Sequence, residues 1–321
     1  MRGLIRPLLA LSVVLGCAAA HAQDYPTKPV KIILSNSAGG SPDIVTRILA
    51  DRLSKSLGQQ FIVDNRPGGE SVIGADLAAR SAPDGYTLYL GTNDALVANR
   101  VRLKSLPYDP DKDFTLIASV IDSAPFVVAV NADVPAKSFG ELVSLAKAQP
   151  GKLSYAVTIG ISDTLAQWIN KRTGIDVTRV PYRQNPQAVQ DVVSGQVQVV
   201  LISLPSVEQF AKAGRLRILA VSSSKRFAGL PDVPTIAESY PGLVVEGWFA
   251  LTGPTGIPAD VVARLNREVD KALKDPELLQ RVAGFGFSTS DAKTPELLVT
   301  RMQEDVARWR MIAADIGMQP Q

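Results

Sequence analysis

The sequence predicts an α/β fold of two doubly wound domains, joined by two chain crossings with a ligand cleft between them. Three observations carry this. Short apolar runs alternate with amphipathic stretches between residues 30 and 94, the pattern of parallel strands linked by right-handed helical crossovers. The alternation restarts at residue 152 and continues to 221. Two longer β-rich stretches, 115–130 and 244–252, bracket that second block and read as the chain passing to a second domain and back. The expected units are a leader, 1–22; a first part of domain I, 23–124; domain II, 125–245; and the remainder of domain I with its C-terminal helices, 246–321.

In chain order, 30–35 reads as a buried strand, followed by the small loop Asn36-Ser37-Ala38-Gly39-Gly40. The glycines permit positive φ and close approach of a ligand. Ser41 is expected as N-cap, with Pro42 at the first helical position and Asp43 in the first turn, where the helix dipole favours an acid. Ile44, Ile48, Leu49 and Leu53 form one apolar face of a helix that runs to Leu57 and stops at Gly58. A strand at 61–64, a loop at 65–71 and a helix at 72–81 follow, then the turn Pro83-Asp84-Gly85 and a strand at 87–91 ending in Thr92-Asn93-Asp94. A polar segment, 106–114, precedes the first crossing, and a helix at 138–149 stops at Pro150-Gly151. The second block offers strands at 152–158, 177–181, 197–202 and 216–221, and helices at 162–171, 186–194 and 206–213. A proline-rich surface connection, 230–235, leads to the return crossing and to helices at 259–274, 276–284 and 294–316. A strand, a glycine turn and a helix start together present free N–H groups that hold an anion without a basic side chain; an ordinary strand-to-helix turn has the same residues. In open sheets such loops face the crevice at the carboxyl ends of the strands.

The first residues read as a secretion signal: Arg2 and Arg6, an apolar run at 8–15, and Ala20-His21-Ala22 as an A-x-A site, with the cut expected after Ala22. Lipidation at Cys17 is disfavoured by Leu15, a poor residue two places before such a cysteine, and an uncleaved anchor is the remaining alternative. Cleavage removes the sole cysteine, Cys17, and the sole histidine, His21. A mature chain from Gln23 then has no Ser-His-Asp triad, thiol nucleophile, disulfide or usual zinc site. The acidic run 109–113 lacks the spacing and closing glutamate of a calcium loop, so no metal is expected. Composition is that of a soluble globular protein of 321 residues, 46% hydrophobic and 20% charged. Losing Arg2 and Arg6 lowers the net charge of +3 by two, to +1, too balanced for a nucleic-acid or membrane partner. Trp168, Trp248 and Trp309 lie in apolar patterns and read as core.

Nine phrases, in order over the whole mature chain, resemble the tripartite tricarboxylate transporter substrate-binding proteins, or Bug receptors. They are Tyr25-Pro26-x-Lys28-Pro29-Val30, Gly39-Gly40-x-x-Asp43, Leu57-Gly58-Gln59, Asp64-Asn65-Arg66-Pro67-Gly68 with Ile73-Gly74, and Pro83-Asp84-Gly85-Tyr86-Thr87-Leu88. The others are Leu106-Pro107-Tyr108-Asp109-Pro110-x-Lys112-Asp113-Phe114, Leu216-Arg217-x-Leu219-Ala220-Val221, Leu230-Pro231-Asp232-Val233-Pro234-Thr235 and Asp275-Pro276. The resemblance implies a monomeric periplasmic receptor with a type II periplasmic-binding-protein fold and no cofactor. It would close about a hinge on a small carboxylate (a di- or tricarboxylate, hydroxy acid or amino acid) and hand it to a two-subunit membrane transporter. An alternative is a sensory role, presenting the closed state to a sensor kinase; a hydrolase or isomerase using carboxylates and serines is a minor one.

The resemblance places the ligand carboxylate at two loops of domain I: Ser35, Asn36, Ser37, Ala38, Gly39 and Gly40 in the first, and 68–74 in the second, with Gly69, Glu70 and Ser71 as its candidates. The far end of the ligand would meet domain II around 158–164 and 181–185, with Thr158, Gly160, Ser162 and Arg183 as candidates; Thr92 and Asn93, which end the third strand at the cleft, and Ser203 are further candidates. Several positions depart from the family pattern. Ser35-Asn36-Ser37-Ala38 stands where a proline–aromatic pattern is usual, Glu70-Ser71 where small residues are, Thr164 where a histidine is common, and Arg183-Gln184 where a Lys-Gly pair is. Gln198 replaces a common acid. Glu70 has two readings: it receives an ammonium or hydroxyl of the ligand, or it faces solvent or favours the next helix through the dipole. Arg183 either pairs with a distal carboxylate or is a solvated surface residue. Ser162 reads by default as an N-cap, and Asp43 as a helix-start residue more than a ligand contact. With Ser35 and Asn36 facing Glu70-Ser71, the expected ligand is a small, polar carboxylate bearing a hydroxyl or amino group.

Overall fold

A computed structural model describes residues 25–320, except 159, 183, 228 and 290–293. The expected leader with its cleavage point, and Arg183, therefore lie outside the described residues.

The chain opens with β1 (Val30–Leu34), α1 (Ser41–Leu57), β2 (Phe61–Asn65), α2 (Val72–Ala79) and β3 (Thr87–Thr92). β1 lies between β2 and β3, parallel to both. Four of its five residues are buried, because helices cover both faces of a parallel sheet. A π-helical turn, Asp94–Ala98, and the short α3 (Asn99–Arg102) follow, where the sequence reading had only the end of a strand.

β4 (Phe114–Asn131) is the long first crossing. It is followed by α4 (Phe139–Ala148), β5 (Ser154–Thr158), α5 (Ile161–Thr173), β6 (Thr178–Tyr182), α6 (Asn185–Val193), β7 (Val199–Ser203), α7 (Glu208–Lys212) and β8 (Leu216–Val221). The proline-rich connection leads into one helical turn, α8 (Ile236–Ser239), started by a capping box between Thr235 and Glu238. β9 (Glu246–Pro254) is the return crossing, and α9 (Ala259–Leu273), α10 (Pro276–Gly284) and α11 (Pro295–Ile316) complete the chain.

The strand order is β2-β1-β3-β9-β4-β7-β5-β6, with β8 also on β4. The two halves of β4 have different partners. Up to Pro125, opposite Glu246, it pairs antiparallel with β9; from Phe126, opposite Ser203, it pairs with β7 and β8. One strand is thus shared by two sheets, and the hinge region is built from β4 and β9.

One core packs β1 and β3 (Ile32, Leu34, Leu88, Leu90) against Leu49 and Leu53 of α1 and Leu265 and Val269 of α9. A second packs Tyr155, Val157 and Leu201 against Leu165 and Trp168 of α5 and Met302, Trp309 and Ile312 of α11. Each fully buried leucine contributes on the order of 2 kcal/mol. All three tryptophans are buried, as their apolar settings suggested. α11 follows the return crossing in the chain but also reaches the second half of the molecule, where Trp168 Nε1 donates to Asp315 Oδ2 at 2.8 Å.

Two helix starts differ from expectation by one or two residues. Gly40, in extended conformation, is the N-cap of α1 and Ser41 its first helical residue. Gly160, at φ 120°, is the N-cap of α5, so Ser162 lies inside the helix. Glycine needs no side-chain acceptor to leave the helical region, which frees both serine hydroxyls for other bonds. Ser41 Oγ reaches Ser203 Oγ at 3.3 Å, and Ser162 Oγ donates to the carbonyl of Thr158 at 2.8 Å.

Candidate functional site

A cleft of about 730 Å³ lies between the two halves. Its first wall is the loop from Asn36 to Pro42 with Thr92 and Asn93; its floor is Pro125 and Phe126 of β4, Gly247–Phe249 of β9, and Phe287; its far wall includes Thr158, Ile161, Gln184–Pro186, Gln190 and Ser203.

The first wall is shaped by Asp43. Its carboxylate turns back to accept from the Gly39 N–H at 2.9 Å, from Asn65 Nδ2 at 2.9 Å and from Arg47 Nε at 3.0 Å. Asn65 Nδ2 also donates to the carbonyl of Asn36, at 2.9 Å, so the loop is tied to the end of β2. Burial opposes the charge on Asp43, but the bonds from Arg47, Gly39 and Asn65 hold its carboxyl below the usual carboxylate range. Asp43 itself does not line the cleft. Ser41, the first residue of α1, lines this wall and its N–H has no intrahelical acceptor, while the next residue, Pro42, has no N–H. Two polar atoms here are buried without a hydrogen-bond partner: Asn36 Oδ1 and Thr92 Oγ1. Buried polar atoms rarely go unpaired, so both point to a ligand group or a bridging water.

The second loop is built differently. Gly68, Gly69, Glu70 and Ser71 have φ of 126°, 54°, 54° and 74°. Two non-glycine residues in succession in this region store roughly 1–2 kcal/mol each. The turn is pinned from the side: Glu70 Oε2 accepts from Arg102 Nη2 at 2.6 Å, and the Glu70 carbonyl accepts from Asn99 Nδ2 at 2.7 Å. Arg102 is 7% exposed and lies 4.0 Å from Asp94.

Of the residues singled out in the sequence, Asn36, Ser37, Ala38, Gly39, Gly40, Thr92, Asn93, Thr158 and Ser203 line the cleft. Ser35 sits behind it, its Oγ bonded to Tyr89 OH at 2.8 Å and packed on Gly74, where a Cβ would come within 2.6 Å. Gly69, Glu70, Ser71, Gly160 and Ser162 are not on the wall. Glu70 therefore faces Arg102 rather than Ser35 and Asn36. The amide of Asn93 is committed to α11: it donates to Asp305 Oδ2 and accepts from Trp309 Nε1, both at 3.2 Å. Asp305 also accepts from Trp248 Nε1 at 2.7 Å, which fixes an indole in the floor.

The sequence reading missed several wall residues. Asp94 reads in the sequence as a strand end; it is the one ionisable side chain among the described wall residues. Asn185 with Val189, and Pro186 with Gln190, stand one helical turn apart on α6, a spacing that was visible but resembled any polar helix face. Phe249 and Phe287 meet edge-on at 5.8 Å, a pair 38 residues apart that no local pattern announces.

Residues 45–318 match the tripartite tricarboxylate transporter family receptor. A UPF0065 protein of Bordetella bronchiseptica is 36% identical over 328 residues, spanning 100% of this chain and 96% of that protein. The R. palustris protein Rpa4515, solved with adipate, superimposes with a TM-score of 0.85 at 31% identity, over 93% of this chain and 100% of that one. The periplasmic binding protein BugD does so with a TM-score of 0.83 at 28% identity, over 92% and 100%. This chain belongs to that receptor family, has its periplasmic-binding-protein fold, and is a solute-binding protein rather than an enzyme.

Proposed function

From membership of that family, we propose that the chain captures a small carboxylate between its two domains and delivers it to a tripartite tricarboxylate-type secondary transporter. The observation that carries the reading is the first wall. A helix N-terminus opens on the cleft beside two buried, unpaired polar atoms, Asn36 Oδ1 and Thr92 Oγ1. The N–H groups of Gly40 and Ser41, with the dipole of α1 behind them, seat the carboxylate; Gly39 contributes through its backbone turn, since its own N–H is held by Asp43. Asn36 and Thr92 take a hydroxyl, an amino group or a water on the ligand's near side. The change of partners along β4, between Pro125 and Phe126, falls within one residue of a domain limit at 124/125, β9 starts at a limit of 245/246, and both support closure about β4 and β9 as the motion that ligand favours. In the same reading the chain is exported and cut after Ala22.

Among the described residues no helix is long and apolar enough to cross a membrane, which fits a receptor that meets its transporter transiently. A thermal-shift screen over mono-, di- and tricarboxylates, amino acids and aromatic acids tests the reading. A ligand at 100 times its Kd adds about 2.7 kcal/mol to stability, and Asn36→Ala should reduce that gain. Stabilisation by neutral sugars or amines alone would sink the carboxylate assignment.

A further inference from the structure

Asp94 crosses the cleft. It stands on the turn after β3, yet its carboxylate lies against Gly160, the N-cap of α5 on the opposite wall, where the Ile161 N–H favours its charged form. The contact is close: a Cβ on Gly160 would come within 3.1 Å of Asp94 Oδ1, and the φ of 120° at Gly160 is one that glycine adopts freely. The start of α5, the natural anion seat of the far wall, is thus filled by the protein's own carboxylate.

Burial holds the Asp94 carboxyl above the usual carboxylate range, against the pull of Arg102 and the Ile161 N–H, so a charge at this corner is poorly compensated and a second acid placed beside it costs more. Among the described residues the nearest guanidinium, Arg102, bonds Glu70 at 2.6 Å and stands off Asp94 at 4.0 Å, so one cation serves two acids. A second feature marks the same corner as a ligand contact. Thr92, 4% exposed and two residues before Asp94, lines the cleft with a buried hydroxyl that has no partner.

Resting on the carboxylate reading above, we propose that Asp94 is both an interdomain latch and a specificity determinant. It ties the far wall to the near wall through the start of α5 and repels a second acid group, so the receptor selects monocarboxylates. The rest of the ligand runs over Phe126, Trp248 and Phe249 toward the neutral amides of Gln184 and Asn185. A neutral or amino-bearing tail is accepted; a second carboxylate is not.

The test uses the full mature chain, wild type, Asp94→Asn and Asp94→Ala, with matched acid pairs: hexanoate and adipate, butyrate and succinate, benzoate and terephthalate. Calorimetric titration should show the wild type binding a monoacid at least about tenfold tighter than its diacid. Asp94→Asn, which keeps the shape and an acceptor oxygen, should raise the ratio of diacid to monoacid affinity about tenfold. A wild type that binds a diacid as tightly as its monoacid partner, or an unchanged ratio in Asp94→Asn, overturns the specificity claim. The latch is read without ligand: amide exchange at the start of α5 should quicken at least about tenfold in Asp94→Ala and stay near wild type in Asp94→Asn. Unchanged exchange in Asp94→Ala, with circular dichroism showing an intact fold, overturns the latch. If no acid binds either protein, the carboxylate reading and the selectivity built on it both fall, while the exchange result still decides the latch.

Discussion

The two loops that follow β1 and β2 are built from the same ingredients, a pair of glycines and then an acid, and they do opposite things. After β1, Asp43 folds back on its own loop, bonds the Gly39 N–H and leaves residues 36–42 along the cleft. After β2, Glu70 reaches outward to Arg102, and none of residues 68–71 lines the cleft. The difference lies in where the acid finds its donors. Asp43 is satisfied within 22 residues, by Gly39, Arg47 and Asn65, so the loop is a local unit that can present its backbone. Glu70 depends on a guanidinium 32 residues away, and its loop is a clamp holding a strained turn against α3.

This contrast can be broken from either side. The largest effect is expected at Arg102→Leu, which leaves Glu70 and Asp94 without their shared cation. Removing one partner of a buried pair costs 3–5 kcal/mol; Glu70 is 23% exposed, so about 3 kcal/mol is expected, read as a lower urea midpoint at unchanged slope. A loss under about 0.5 kcal/mol would mean the ion pair does not hold the turn. Next, Asp43→Ala should cost about 2 kcal/mol, since it removes charge-assisted bonds to three donors, and should weaken ligand binding, because the first wall loses its shape. Unaltered affinity in this variant would show that the wall forms without Asp43. Gly39→Ala isolates the backbone: φ is 82° and a Cβ there meets nothing within 4 Å, so the cost is conformational alone, about 1 kcal/mol by thermal melt.

The smallest effect is a pH dependence. The Asp43 carboxyl is held below its ordinary value, so its contribution is present above the unfolded-state pKa of about 3.9 and is lost as pH falls through the folded value. Wild type should therefore lose stability more steeply than Asp43→Asn on acidification below about pH 4. Parallel acid melts would show that the Asp43 bonds do not favour its charged form.

Much of the first loop was legible because its logic is local: glycines, proline and acid fall within five consecutive residues, 39–43, shortly after a strand end. The two crossings were also readable, since β4 is an apolar run too long for one sheet. What escaped depends on partners brought together by the sheet order. Nothing near Glu70 announces Arg102, and the turn that carries Asp94, Asn99 and Arg102 looked like the fading end of a strand. Glu70 accordingly seemed to face Ser35 and Asn36. The far wall was hard for a similar reason. Its lining residues come from the ends of β5 and β7 and one face of α6, each unremarkable until the parallel pairing of β5 with β6 and β7 sets them side by side.

The last helix gives the molecule an optical gauge. All three tryptophans of the chain bond through it: Trp168 to Asp315, Trp248 to Asp305, and Trp309, on the helix itself, to Asn93. One of these indoles is in the cleft floor, one sits beyond it in α5, and one rests against the end of β3. Solute arriving beside Trp248, or any rotation that strains the Trp168 contact, must change the polarity or quenching seen by an indole. Intrinsic emission should therefore follow filling and closure in real time with no added dye, and Trp168→Phe and Trp248→Phe would separate the two signals.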